Sequence, residues 1–169
     1  MPSDQAQITA LAARLGALLL AQQAVVSTAE SCTGGGIAEA ITRIAGSSAW
    51  FEAGWVTYSN EQKQALLAVP EQLLISHGAV SEPVAKAMAE AALDKAQAEL
   101  SVAVSGIAGP GGGTPQKPVG TVCFAWCKGA ARYTRTYVFA GDRQQVRART
   151  VQTALQGLIQ LLETDQPLD

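Results

Sequence analysis

Apolar positions along this chain recur at two periods, and the switches between them mark out its elements. Ile8, Leu11, Ala12, Leu15, Leu18 and Leu19 keep the i, i+3, i+4 spacing of a buried helical stripe, with Ser3 or Asp4 placed to cap it. Val25 to Ala29 is a short β-branched run that predicts a first strand, and residues 34–45 predict a helix that Gly46-Ser47-Ser48 breaks. Trp50 to Tyr58 predicts a second strand. Asn60 is placed to cap a helix over 61–68 that Pro70 stops. Residues 71–77 predict a short helical turn. Ser81-Glu82-Pro83 opens another helix with Val84, Ala87, Met88 and Ala91 on its stripe. Ser101 to Ser105 is a compact third strand, followed by a Gly/Pro-rich loop to Pro118. Two further strands, 119–127 and 131–139, flank Lys128-Gly129-Ala130 as a hairpin. Gly141-Asp142-Arg143 then opens a last helix carrying Val151, Leu155, Leu158 and Leu162.

The order α-β-α-β-α-α-β-β-β-α predicts a three-layer α/β/α domain. The hairpin forces an antiparallel pair into a sheet whose other connections are helical. The expectation is a mixed, mostly parallel five-stranded sheet. No repeat or linker interrupts the pattern, so residues 1–169 read as one domain.

Composition removes several classes of function. Apolar residues make up 48% of the chain and charged ones 15%, which excludes a disordered chain. The net charge of −2, without a Lys/Arg run, argues against a nucleic-acid partner. The run Leu15 to Leu20 is too short to span a bilayer. Met1-Pro2-Ser3-Asp4 has no basic leader-like start, so no membrane association and a cytoplasmic protein are expected. Cys123 and Cys127 share a strand face but are too far apart to bridge easily. With Cys32 they read as reduced core thiols. A single histidine, His77, leaves a Cys/His zinc site short of ligands, and no metal is expected.

Chemistry concentrates at three strand ends. These are Glu30-Ser31-Cys32-Thr33-Gly34, then Thr57-Tyr58-Ser59-Asn60 with Lys63 beyond it, then Ser105-Gly106 with the glycines to Gly113. In open α/β sheets, sites form at the carboxyl ends of parallel strands, so the three loops are expected to converge. Gly106 to Gly111 has the Walker spacing, but Gly112-Gly113 stand where Lys-Ser/Thr belongs. The loop also leads to a strand, which excludes the Rossmann fingerprint. A backbone anion nest stays open there. The first loop suits either an anion grip or a nucleophile. Its hydroxyl, Ser31, needs a base: His77 and Lys63 are the two available types, and a lysine serves only if it is kept neutral. Cys32, at a helix start, is the competing nucleophile.

Five segments then match a known family in order: AESCTGGGIAEAIT (29–42), GWVTYSNEQKQALL (54–67), GAVSEPVAKAMAEAA (78–92), SGIAGPGGGTPQKPVGTV (105–122) and FAGDR (139–143). Together they resemble the CinA C-terminal domain family, whose stand-alone members are nicotinamide-nucleotide amidases. With no molybdopterin-binding-like domain in front, the chain resembles that stand-alone form. The resemblance implies hydrolysis of nicotinamide mononucleotide to nicotinate mononucleotide and ammonia, by a serine amidohydrolase that needs no metal or cofactor. It implies Ser31 as nucleophile, Lys63 as general base and Tyr58 as a supporting residue that relays the proton or orients the lysine. It also implies a homodimer, for which Trp50, Phe51 or Trp55 could serve as interface or, equally, as core.

On this reading the backbone from Cys32 through Thr33 and Gly34 to Gly35 holds the oxyanion. Ser105, Gly106 and the loop with Gly109, Gly111 and Gly112 grip the nucleotide. Asn60 and Arg143 are further substrate contacts, and Thr33 and Lys117 weaker phosphate candidates. Two other readings stand beside it: a non-catalytic nucleotide-binding or regulatory module of competence-associated type, and a cysteine hydrolase using Cys32.

Overall fold

The computed structural model describes residues 3–169; Met1 and Pro2, part of the N-terminal stretch considered above, lie outside the described residues. Helix α1 (Asp4–Gln22) is capped by the Ser3 hydroxyl, which accepts from the Ala6 amide. Strand β1 (Val26–Glu30) leads through a glycine turn into α2 (Gly36–Thr42). A 3₁₀ turn (Ser47–Ala49) precedes β2 (Phe51–Val56), followed by α3 (Asn60–Leu67), α4 (Glu71–His77) and α5 (Glu82–Ala96). Strands β3 (Leu100–Gly106), β4 (Thr121–Lys128) and β5 (Ala131–Val138) then run in succession, and α6 (Arg143–Thr164) closes the fold.

The sheet order is β2-β1-β3-β4-β5. β1 pairs in parallel with β2 and β3, and β4 runs against both β3 and β5, so four strands share one direction and β4 alone is reversed. Helices cover both faces. On one face α1, α2 and α6 bury Leu15, Leu19, Ile37, Leu155 and Leu158 against Val102, Val104, Phe124 and Trp126. On the other, α3, α4 and α5 bury Leu67, Leu74, Val84, Met88 and Ala92 against Ala29, Ala103, Ala125 and both strand cysteines. The residues facing α5 are small, and the Ser101 hydroxyl reaches the Ala89 carbonyl of that helix at 2.7 Å. Across the sheet, Trp126 donates its indole N–H to Ala154 at 3.1 Å. A side chain at Gly157 would overlap that indole, so the glycine lets α6 lie close to β4.

The architecture is the expected one, with local differences that have physical causes. Residues 71–77 form a helix of their own, so three helices rather than two separate β2 from β3. Ser59, not Asn60, caps α3: its hydroxyl accepts from the Gln62 amide at 3.1 Å and Asn60 becomes the first helical residue. Trp50 is buried in the core, and Phe51 and Trp55 are partly buried, packed against the two opposite core clusters. All three cysteines are unpaired thiols. Among the described residues no helix is long and apolar enough to cross a membrane.

Candidate active site

The carboxyl ends of β1, β2 and β3 lie side by side, because these three strands are parallel neighbours. β1 ends at Glu30, opposite Val56 of β2 and Val104 of β3. Ser31 is the next residue, and its amide donates to the Val104 carbonyl at 3.2 Å. Ser105 follows Val104 and is buried, with its hydroxyl in none of the protein hydrogen bonds found among the described residues. Thr57 follows Val56 and donates its amide to the Glu30 carbonyl at 2.9 Å.

Lys63 sits one turn into α3 and is only 1% exposed. Its Nζ lies 3.0 Å from Ser31 Oγ, 2.8 Å from the Thr57 carbonyl and 3.3 Å from the Tyr58 carbonyl. No carboxylate pairs with it among the described residues. Burial pushes its pKa below the usual lysine range. A neutral lysine has two N–H donors and one lone pair. The two carbonyls take the donors, which leaves the lone pair for the Ser31 hydroxyl proton. The geometry is that of a base beside a nucleophile.

The turn between β1 and α2 is held from two sides. Glu30 is fully buried and accepts from the Thr33 hydroxyl at 2.5 Å, the Ile37 amide at 2.8 Å and the Ala38 amide at 3.0 Å. Burial raises its carboxyl pKa, with these donors pulling it back in part. The first amides of α2 are therefore committed to Glu30, which removes the helix N-terminus itself as an anion grip. The Cys32 and Thr33 amides, earlier in the turn, are taken by no backbone carbonyl. Gly34 and Gly35 adopt φ of 59° and 100°, and the turn needs glycine at both. From α6, Arg147 donates Nε to the Cys32 carbonyl at 3.2 Å and Nη2 to the Thr33 carbonyl at 3.1 Å.

Cys32 is buried beside Glu30, and burial followed by that carboxylate pushes its pKa up to about 12. It is a thiol, not a thiolate, at neutral pH. The feature that suggested a reactive cysteine, a helix start, is cancelled by the carboxylate that caps the same helix. His77 ends α4, where its carbonyl accepts from Lys117 Nζ at 2.8 Å; Ser31 bonds to Lys63 and not to an imidazole.

Tyr58 touches Lys63 through its backbone carbonyl, 3.3 Å from Nζ. Its ring is exposed, and its hydroxyl accepts from Arg143 Nη2 at 2.9 Å, away from the serine–lysine pair. Arg143 also donates Nη1 to the Gly109 carbonyl at 2.8 Å, so it ties the loop after β2 to the loop after β3. Among the described residues it takes part in no ion pair. Gly106 lies in β3 pressed against Val122, where a side chain would overlap β4, so its small size serves the sheet. Gly111 and Gly112 are exposed in the loop, and Asn60 is exposed on α3. No three His, Cys, Asp or Glu side chains cluster to hold a metal among the described residues.

Glu30 as a cap, Arg147 as a clamp and the Thr57 carbonyl escape a reading of the sequence. Only Arg147 carries a signal: it stands four residues after Arg143 in GDRQQVR, on the same face of a helix.

Fold and site together define an open α/β-sheet protein with a buried serine–lysine pair at the carboxyl ends of its parallel strands. The chain belongs to the CinA C-terminal domain family, whose model matches residues 8–162. It is 58% identical over 154 residues to the nicotinamide-nucleotide amidohydrolase PncC of Pseudomonas putida, covering 91% of this chain and 96% of that protein. It is 52% identical to the protein of that name from Escherichia coli K12, covering 91% and 94%. Among solved structures, the competence damage-inducible protein A of Klebsiella pneumoniae superposes with a TM-score of 0.91 at 40% identity, covering 94% of this chain and 99% of that one. The competence/damage inducible protein of Agrobacterium tumefaciens gives 0.89 at 44% identity, covering 95% and 97%.

Proposed function

We propose that this chain is a single-domain nicotinamide-nucleotide amidohydrolase. It converts nicotinamide mononucleotide and water to nicotinate mononucleotide and ammonia through a Ser31 acyl-enzyme. The observation that carries the reading is the buried, carboxylate-free Lys63 with Nζ 3.0 Å from Ser31 Oγ. The names of the two amidohydrolase relatives support the substrate class.

In the first half-reaction Ser31 Oγ bonds to the carboxamide carbon and its proton passes to Lys63. The Thr57 and Tyr58 carbonyls hold the lysine in line. The Cys32 and Thr33 amides receive the developing oxyanion, a contribution of about 3–4 kcal/mol for one donor in comparable holes. The C–N bond then breaks, and ammonia leaves with the proton that Lys63 returns. In the second half-reaction water adds to the ester, loses its proton to Lys63, and the acid departs as Ser31 is reprotonated. The cationic pyridinium of the substrate also favours a neutral lysine by repulsion. Ser105 and the Gly109 loop contact the nucleotide, and Arg143 meets its phosphate by exchanging the Tyr58 and Gly109 oxygens for phosphate oxygens. The protein works in the cytoplasm as a homodimer, as the resemblance to the stand-alone amidases implies.

The test is ammonia release from nicotinamide mononucleotide by the purified protein. Ser31→Ala and Lys63→Ala should each lose at least about 10³-fold in kcat, and Cys32→Ala should keep activity. Full activity in Ser31→Ala would remove the acyl-enzyme reading. Loss in Cys32→Ala alone would favour the thiol. Tight nucleotide binding with no ammonia would favour the non-catalytic module.

A further inference from the structure

We infer that Arg147 is a positioning residue that builds the oxyanion hole from outside it, by fixing the peptide planes of the nucleophile turn. This rests on the acyl-enzyme reading above. Across a trans peptide the C=O and N–H point in opposite directions. The Thr33 N–H therefore points away from whatever holds the Cys32 carbonyl, and Arg147 Nε holds that carbonyl at 3.2 Å. Arg147 reaches it from α6, on the α1–α2–α6 face of the sheet. The amide is thus turned toward the opposite layer, the one that carries α3 and Lys63.

The neighbouring planes are fixed in step. The Ser31 carbonyl accepts from the Gly34 amide at 3.0 Å, which sets the Cys32 N–H. Arg147 Nη2 takes the Thr33 carbonyl at 3.1 Å, which orients the Gly34 amide toward that same Ser31 carbonyl. Three successive peptide units are therefore ordered by the guanidinium together with two hydrogen bonds inside the turn, from the Gly34 amide to the Ser31 carbonyl and from the Gly36 amide to the Thr33 carbonyl, both at 3.0 Å; the Cys32 carbonyl is held by Arg147. The two amides left over are those that follow the nucleophile.

Three further features fit a clamp. A Cβ added at Gly34 would come 3.5 Å from Arg147 Nη2, so the guanidinium lies in ordinary contact with the turn, at a residue with φ 59°. Among the described residues Arg147 forms no ion pair with a carboxylate, so its charge is directed at these two carbonyls. The Asp142–Gln145 capping box fixes the start of α6 and with it the origin of the side chain. The planar fork matches two adjacent carbonyls; a lysine offers a point charge and cannot span both in the same way.

The experiment compares wild type with Arg147→Ala, Arg147→Met and Arg147→Lys by steady-state kinetics, thermal melting and the labelling rate of Ser31 by a fluorophosphonate. In that labelling Ser31 Oγ bonds to phosphorus, fluoride leaves, and the proton passes to Lys63. It needs the same hole but no nucleotide. Arg147→Ala should lose about 10²-fold in kcat while KM stays within about threefold, and labelling should slow in parallel. Millimolar guanidinium should restore part of the rate in Arg147→Ala. Arg147→Lys should recover less than wild type.

Unchanged kcat and labelling would overturn the clamp. A raised KM at constant kcat would overturn it too, making Arg147 a substrate contact. So would melting of both the Ala and Met variants below assay temperature, which would make the role structural. If wild type labels but releases no ammonia from nicotinamide mononucleotide, the substrate reading fails alone, and the labelling rates still decide the clamp. Absence of labelling in wild type would overturn both.

Discussion

Ser31 and Cys32 are adjacent, and a thiol is the stronger nucleophile by intrinsic reactivity. Their surroundings reverse that order. Cys32 lies against Glu30 and is held protonated, whereas the Ser31 hydroxyl faces the Lys63 amine, which also meets the Thr57 and Tyr58 carbonyls. The same burial that lowers the Lys63 pKa has a measurable signature in stability. The folded lysine releases its proton at a lower pH than the unfolded side chain, which titrates near ~10.4. Between the two values the unfolded chain binds more protons, so wild-type stability rises with pH across that window and is lost as pH falls through the folded pKa. Lys63→Met removes this slope. It should be inactive yet at least as stable as wild type at neutral pH, with wild type gaining on it as pH rises; urea titrations at several pH values would read this out. The kcat of wild type should fall as pH falls through the same folded pKa, since the protonated lysine cannot accept from Ser31.

At the scale of elements, α2 is too short to be stable by propensity alone. It begins after two glycines in left-handed conformation and has no side-chain cap of the ordinary kind. Glu30 replaces that cap from the end of the preceding strand. It leaves the helix start neutralised and stitches strand, turn and helix into one unit. Glu30→Ala would strand two buried amides and one hydroxyl, at a cost of about 1–3 kcal/mol. A chemical denaturation midpoint shifted by that amount, with an unchanged m-value, is the expected result. An unshifted midpoint would mean that water or a neighbouring group replaces the carboxylate. α6 contributes to the site through one face: Arg143 goes to the loops after β2 and β3, and Arg147, one turn on, to the turn after β1.

For the whole molecule, the sequence was informative wherever a signal was local. The alternation of helical stripes with short β-branched runs yields the layered fold, the hairpin forces the reversed β4, and the three polar strand ends locate the site. Ser59 and Asn60 carry equivalent capping chemistry at adjacent positions, so the residue pattern alone does not distinguish which of them caps α3. Glu30 reads locally as the first letter of a motif; that it caps α2 depends on a buried geometry no spacing rule encodes. Arg147 acts 114 and 115 positions away in sequence, and a contact of that range leaves no periodic trace. The dimer proposed from the family resemblance belongs to this scale. Light scattering should report twice the 17.5 kDa chain mass, and a monomer with full ammonia release would separate assembly from catalysis.

The hydrogen bonds from Arg147 to the Cys32 and Thr33 carbonyls also impose an order in time. During synthesis the serine, the lysine and all five strands leave the ribosome before α6 does. Until that last helix is made and docks, the turn at residue 31 lacks its outer support. A chain stopped short of residue 147 carries Ser31 and Lys63 but lacks the guanidinium that holds the Cys32 carbonyl.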